Sequence, residues 1–229
     1  MTTPIPIRRL RAYPATDAGR LRAPQNEDSY ALPPALTQEQ DRDKGYLYVL
    51  ADGMGGYQAG EVASAIVTQV LPAAYYADPD TNIPASLERA IASAERQIKA
   101  DQQAHTSHAQ MGSTVVAVVV RGNLVVVSNV GDSRCYRLRA GRLKLLSIDH
   151  SWVGEQVRNK VLTEQEAREH PYRSVLNRAL GQPNASPRPD TITQDWQPGD
   201  RLLLCSDGLW DMLPDQQIAE ILSKPDAAE

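Results

Sequence analysis

Tyr46–Ser64 reads YLYVLADGMGGYQAGEVAS, and the order of residue types along it decides how the rest of the chain is read. The apolar, β-rich run Tyr46–Ala51 reads as a buried strand, stopped by Asp52-Gly53. Gly55 and Gly56 follow, and from Glu61 helical spacing places Val62, Ala65, Ile66, Gln69 and Val70 on one face. An acidic side chain is thus fixed at a strand end, beside glycine backbone that a ligand can approach closely. Arg201–Gly208, RLLLCSDG, repeats the arrangement far downstream and delivers Asp207-Gly208. Asp-Gly after a strand is most often a hairpin turn, but neither copy is followed by a partner strand. The expectation is that Asp52 and Asp207 meet across the fold and hold divalent ions.

The 229 residues are 41% apolar with a formal net charge of -4, enough for one large domain or two small ones with a substantial core. Mixed charge without basic blocks gives no reason to expect nucleic acid or an anionic membrane as partner. Cys135 and Cys205 both lie in apolar strand-like runs, which suits buried thiols in a reducing cytosol better than a disulfide framework. Met1–Leu10 lacks the apolar core of a signal peptide, and Thr114–Val130 is interrupted by Arg121, Gly122 and Asn123, too early to span a bilayer. These features predict a soluble cytoplasmic domain.

Residues 8–31 read as two short strands around a polar turn, and Leu32–Lys44 as a surface loop. Helices are expected at about Ala59–Tyr76 and about Ala85–Gln103, the second with Leu87, Ala90, Ile91, Ala94 and Ile98 on one face. Val115–Val120 and Leu124–Val130 form a hairpin whose near-continuous apolarity implies a sheet covered on both faces. Cys135–Arg139 and Leu143–Ser147 form another around Ala140-Gly141. Residues 150–181 turn charged and helical, with a capping box at Thr163 and Glu166. Strands follow at Thr191–Asp195 and residues 201–206, then a helix from Pro214 carrying Ile218, Ile221 and Leu222. Antiparallel strands with helices gathered around them give an α+β sandwich of layers.

Glu27, Asp28, Asp52, Asp132 and Asp207 stand at strand ends or turns. Carboxylates against apolar strands are costly unless paired or bound to a cation, and a carboxylate and carbonyl donor set favours Mg²⁺ or Mn²⁺ over zinc. Asn26-Glu27-Asp28-Ser29, Ala51-Asp52-Gly53-Met54-Gly55-Gly56, Met111-Gly112-Ser113-Thr114, Val130-Gly131-Asp132-Ser133-Arg134 and Ser206-Asp207-Gly208-Leu209-Trp210 occur in that order. Together they resemble the bacterial metal-dependent serine/threonine protein phosphatases of type 2C, the PPM family, over residues 8–222.

The resemblance implies a four-layer αββα sandwich, two central antiparallel sheets flanked by helices, as a single domain with a flap at about 149–178. It implies phosphoserine and phosphothreonine hydrolysis by in-line attack of a hydroxide bridging two Mn²⁺ or Mg²⁺ ions. Asp52 would bridge both ions, the Gly53 carbonyl would bind one, and Asp207 the other. Asp28 and Glu27 would bind metal directly or through water. Arg22, with Arg20 its rival, would clamp the phosphate by its planar fork. Asp132 and Arg134 would be a structural ion pair, and Gly112-Ser113-Thr114 a close-packed strand start. Substrates would be phosphorylated proteins, including a Ser/Thr kinase, and the chain a monomer.

Three departures qualify the match. Met54 stands where animal relatives have a histidine proposed as general acid. The segment before Met111 holds His105 and His108 but no carboxylate after Asp101, which argues against a third ion. The closing Asp-Asn strand of the family has no counterpart before Glu229. That last departure motivates the alternative of a pseudophosphatase, a phosphoprotein-binding module without a complete metal site. A hydrolase of small phosphoesters on the same scaffold is the other rival.

Overall fold

The computed structural model describes residues 10–19, 26–55, 59–183 and 187–225. Its elements are β1 (Asp28–Ala31), α1 (Gln38–Asp43), β2 (Tyr46–Met54), α2 (Gly60–Ala77) and α3 (Ile83–Ala104). After a 3₁₀ turn, Thr106–His108, come β3 (Gly112–Ser113), β4 (Val115–Arg121), β5 (Leu124–Val130), β6 (Arg134–Arg139) and β7 (Arg142–Leu145). The chain continues through α4 (Trp152–Arg158), α5 (Glu164–Glu169), β8 (Asp190–Asp195), β9 (Arg201–Cys205), α6 (Asp207–Trp210) and α7 (Asp215–Ser223).

Side-chain alternation along the strands builds the four layers. Odd positions of β4 (Val115, Ala117, Val119) join Leu47, Val49 and Ala51 of β2 in a core shared with α2 and α3. Even positions (Val116, Val118, Val120) enter a second core with Cys135, Leu202, Leu204 and Trp196. A third core sets Tyr136 and Cys205 against Trp210, Ile218 and Leu222. The order is therefore helices, a six-stranded antiparallel sheet (β1-β2-β4-β5-β8, with β3 on β2), a three-stranded antiparallel sheet (β7-β6-β9), and helices again. This is the α+β sandwich expected, and the doubly covered β4–β5 hairpin is its centre. Cys135 and Cys205 are free and buried on opposite faces of the small sheet. The Ala140-Gly141 turn closes β6 and β7 with positive φ at both residues (48° and 75°), the twist that two-residue hairpins need.

Several expectations need correction. Asp52-Gly53 does not stop the strand: β2 runs on to Met54, because Gly53 and Met54 pair with Ser113 and Gly112 of β3. The buried face of α2 is Ala63, Ser64, Val67, Thr68 and Leu71, one position on from the expected stripe, with Val62, Ile66 and Val70 only partly buried beside it. The helix lies on both the sheet and α3, so its apolar surface is too broad to place from one row. Leu32–Lys44 contains α1, an all-polar helix begun by a reciprocal cap between Thr37 and Gln40. Residues 10–18 form no strand. Ile221 of α7 is exposed, and Ile218 alone of that trio is fully buried.

Candidate metal and phosphate site

β1 and β2 pair so that Asp28 lies directly opposite Asp52. Like charges facing each other across antiparallel strands repel, so this register has a cost that a cation would remove. The Asp52 peptide is held on both sides: its N–H donates to Thr114 Oγ1 (3.0 Å), and its carbonyl accepts from Thr114 N–H (2.9 Å) and Ser113 Oγ (3.1 Å). Ser113 and Thr114, expected only as a close-packed strand start, therefore also hold the Asp52 peptide. From the other sheet, Ser206 at the start of α6 donates its hydroxyl to Asp28 Oδ2 at 2.6 Å, across 178 positions of sequence. Asp207 is the next residue. The two Asp-Gly segments thus converge on one end of the sandwich.

Backbone approaches backbone here. A Cβ on Gly53 would stand 2.0 Å from the Gly60 carbonyl oxygen and 2.9 Å from that of Glu27, and Gly53 N–H donates to the Glu27 carbonyl (3.0 Å). A Cβ on Gly60 would meet the Glu27 carboxylate at 2.4 Å. Glu27 therefore sits at the N-terminus of α2, where the helix dipole favours an anion. The N-cap residue, Ala59, makes no side-chain cap bond there.

Asp132, in the turn after β5, is 6% exposed. Burial first, then the charges of Asp149 and Asp207, push its carboxyl up to about 7. It belongs to the same negative cluster as Asp207. The expected Asp132–Arg134 pair is not what forms: Arg134 bonds Asp149 (3.1 Å) and the Tyr136 hydroxyl (2.8 Å), with its guanidinium 3.7 Å from the Trp210 ring centroid. Asp149 reaches closer because it rides on the flap entry, fixed by Ser151 N–H (2.9 Å) and Oγ (2.6 Å). The sequence reading missed Asp149 and Ser206; nothing in the local pattern marks the first, and the second lay unassigned inside a quoted motif.

The segment expected as a flap, residues 149–178, leads back to the site at Leu180, which exchanges hydrogen bonds with Ser113 (3.1 and 2.9 Å), and within it Trp152 stacks on His170 (4.8 Å). A cavity of about 230 Å³ beneath it is lined by Arg134, Arg158, Arg168 and Arg173. Each of these guanidinium groups already faces an acceptor: Asp149 Oδ2 for Arg134, the Asp149 carbonyl for Arg158, the Trp210 carbonyl for Arg168 and the Asp211 carboxylate for Arg173. The cavity therefore reads as the flap's packed base. Arg22 and Arg20 lie outside the described residues. His108 faces Asp101.

Oxygen donors gathered at a sheet end, with glycine backbone leaving room beside them, define the class: a site for hard divalent cations and the anions they bind. Residues 15–225 match the sequence profile of the family described as Protein phosphatase 2C. The serine/threonine phosphatase stp of Listeria innocua is 35% identical over 211 residues, covering 90% of this chain and 81% of that protein. The crystal structure of Stp1 from Staphylococcus aureus superposes with a TM-score of 0.83 at 32% identity, covering 93% of this chain and 82% of that one. The catalytic domain of the serine/threonine protein phosphatase PstP, solved with two manganese ions, gives 0.77 at 34% identity, covering 93% and 84%. The chain belongs to the protein phosphatase 2C family, and with it to the phosphoric monoester hydrolases. No helix among the described residues is long and apolar enough to cross a membrane.

Proposed function

We propose that this chain hydrolyses phosphoserine and phosphothreonine in proteins with two Mn²⁺ or Mg²⁺ ions. The observation that carries the reading is the facing pair Asp28 and Asp52, joined from the opposite sheet by Ser206-Asp207. The donor set fits hard cations: carboxylates and a peptide carbonyl, with a glycine contact that no side chain can fill. Asp52, the Gly53 carbonyl, Asp207, Asp28 and Glu27 would hold the ions. When bound, the ions supply an acidified water for in-line attack on phosphorus and neutralise the phosphoryl oxygens.

The chain's own residues do the rest. Ser113 and Thr114 fix the Asp52 peptide, Ser206 orients Asp28, and Asp132, whose charge is disfavoured by burial and by Asp149 and Asp207, would be favoured as an anion by a nearby cation. Arg22 would take two phosphate oxygens in its planar fork. A relative bound to two manganese ions, and relatives named serine/threonine phosphatases, support both cofactor and substrate class. The substrates would include a Ser/Thr kinase, and the enzyme would work as a cytoplasmic monomer.

The test is p-nitrophenyl phosphate and phosphopeptide hydrolysis with Mn²⁺, before and after Asp52→Asn. The expected result is metal-dependent turnover that falls to background in the variant, with phosphopeptides preferred over nucleotides. An Asp52→Asn enzyme as fast as the parent would overturn the assignment, and a nucleotide preference would move it to small phosphoesters.

A further inference from the structure

The end of α3 carries a second cluster that the carboxylate centre does not use. His105 closes the helix with its N–H on the Asp101 carbonyl (2.9 Å), and the following 3₁₀ turn folds His108 back, its N–H on the His105 carbonyl (3.0 Å). Asp101 Oδ1 then lies 3.3 Å from His105 Nδ1 and 2.5 Å from His108 Nδ1, with the two rings 5.0 Å apart. Among the described residues, this is the one trio of His, Cys, Asp or Glu whose ligand atoms all fall within 4.8 Å of one another.

Two imidazoles aiming the same nitrogen at one carboxylate oxygen are more than a helix cap requires, since the cap is already made by backbone. Bonds of about 2.0–2.2 Å to a tetrahedral ion set ligand atoms about 3.3–3.5 Å apart. Asp101 Oδ1 and His105 Nδ1 already stand near that spacing at 3.3 Å, the His108 contact has to open by less than about 1 Å, and all three ligand atoms start within 4.8 Å of one another. His105 is 55% exposed and His108 22%, which leaves a path for an ion and a face for water as fourth ligand. Lys99, on the same helix, is paired with Glu95.

We infer that Asp101, His105 and His108 form a binding site for a zinc-class divalent transition ion, separate from the Mn²⁺ or Mg²⁺ centre. Two imidazoles and one carboxylate suit Zn²⁺ or Co²⁺ and disfavour Mg²⁺. A bound ion ties the end of α3 to the loop that supports the catalytic strand. Met111 N–H donates to the His108 carbonyl (2.9 Å), Gln102 Nε2 donates to the carbonyls of Met111 (2.7 Å) and Gly181 (2.8 Å), and a Cβ on Gly55 would stand 2.8 Å from Met111 Cα.

The experiment is titration of the metal-free full chain with Zn²⁺ by calorimetry, and with Co²⁺ by visible absorption, in excess Mg²⁺. The parent is compared with His105→Ala and with the His105→Ala/His108→Ala double variant. The parent should bind one more equivalent than the double variant and show the intense Co²⁺ band of a tetrahedral site. His105→Ala, whose ring is mostly in solvent and whose fold is not at risk, should weaken that equivalent at least tenfold. Manganese-dependent hydrolysis of p-nitrophenyl phosphate should be unchanged in both variants. Equal stoichiometry and affinity in the parent and His105→Ala would overturn the site, whether or not the double variant folds.

Discussion

The two sheets of the sandwich each contribute one Asp-Gly segment, yet they are built to different standards. Strands β4 and β5 of the six-stranded sheet are buried along almost their whole length, valines filling a core on either side. In the three-stranded sheet, β9 is only partly buried until Cys205, and β7 alternates exposed and half-buried residues. Asp52 therefore comes from a strand beside that closed centre, with every second residue buried, and Asp207 from a thinner layer. The lesson is that a site made by two layers is no firmer than the lighter of them.

The largest expected effect tests that contrast directly. Leu47→Ala in β2, where the side chain is 1% exposed, should cost about 2–5 kcal/mol. Leu203→Ala in β9, half-buried at the edge of the third core, should cost less than about 2 kcal/mol by the same reasoning. Urea melts of both variants give the two numbers, and equal losses would erase the distinction between the sheets.

A second prediction concerns the clasp that joins them. Arg139 of β6 makes a two-pronged bond to Asp200 (2.6 and 2.5 Å) and a third to Asp195 Oδ2 at the end of β8 (2.7 Å). The Asp200 side chain is 1% exposed. Arg139→Ala leaves that carboxylate buried without its partner, at a cost of about 3 kcal/mol. A midpoint within error of the parent would mean that the sheets are held by apolar packing alone.

The smallest effect is on pH, at the seam between the large sheet and the flap. His150 is buried; its Nδ1 accepts from Gly131 N–H (3.1 Å), so its Nε2 carries the proton that faces Asp190 Oδ2 (2.7 Å). Arg178 bonds the same oxygen (2.7 Å), and Arg158 lies near. Burial, then the Arg178 charge, holds His150 below its ordinary 6.5 despite the pull of Asp190. The unfolded chain therefore binds this proton first. Stability contributed at His150 is complete above pH 6.5 and falls as pH drops from there toward the folded value. Burial of Asp190 is outweighed by its bonds to His150 and Arg178, so its carboxyl is lowered and its contribution is lost only below pH 3.8. Urea midpoints from about pH 7.5 to about pH 5.5 should decline more steeply in the parent than in His150→Gln. Parallel curves would sink this account.

The sequence displayed the large sheet well because its signal is local: Val115–Val120 and Leu124–Val127 are apolar at every position, and only a doubly covered hairpin needs that. It also displayed the α3 face and the flap's Thr163–Glu166 cap. The end of β2 was misread because Asp-Gly is ambiguous until a third segment, Gly112-Ser113, is known to pair with it. Helix α1 buries no side chain, so no apolar period announces it. The true partner of Arg134 was hidden because Asp149 is supplied by a loop after β7, not by the strand that carries Arg134. The Asp101–His105–His108 spacing was visible, but its convergence depends on a 3₁₀ turn that spacing alone does not specify.

The hydroxyl of Ser206 resting on Asp28 has a consequence for synthesis on the ribosome. One member of that contact is translated 178 positions before the other, so the helices and the hairpin at the heart of the large sheet can collapse while the centre still lacks half its oxygens. Chain-closing contacts of such span form late. A nascent chain of this protein can therefore have its large sheet folded and still be inert toward phosphorylated neighbours until β9 docks.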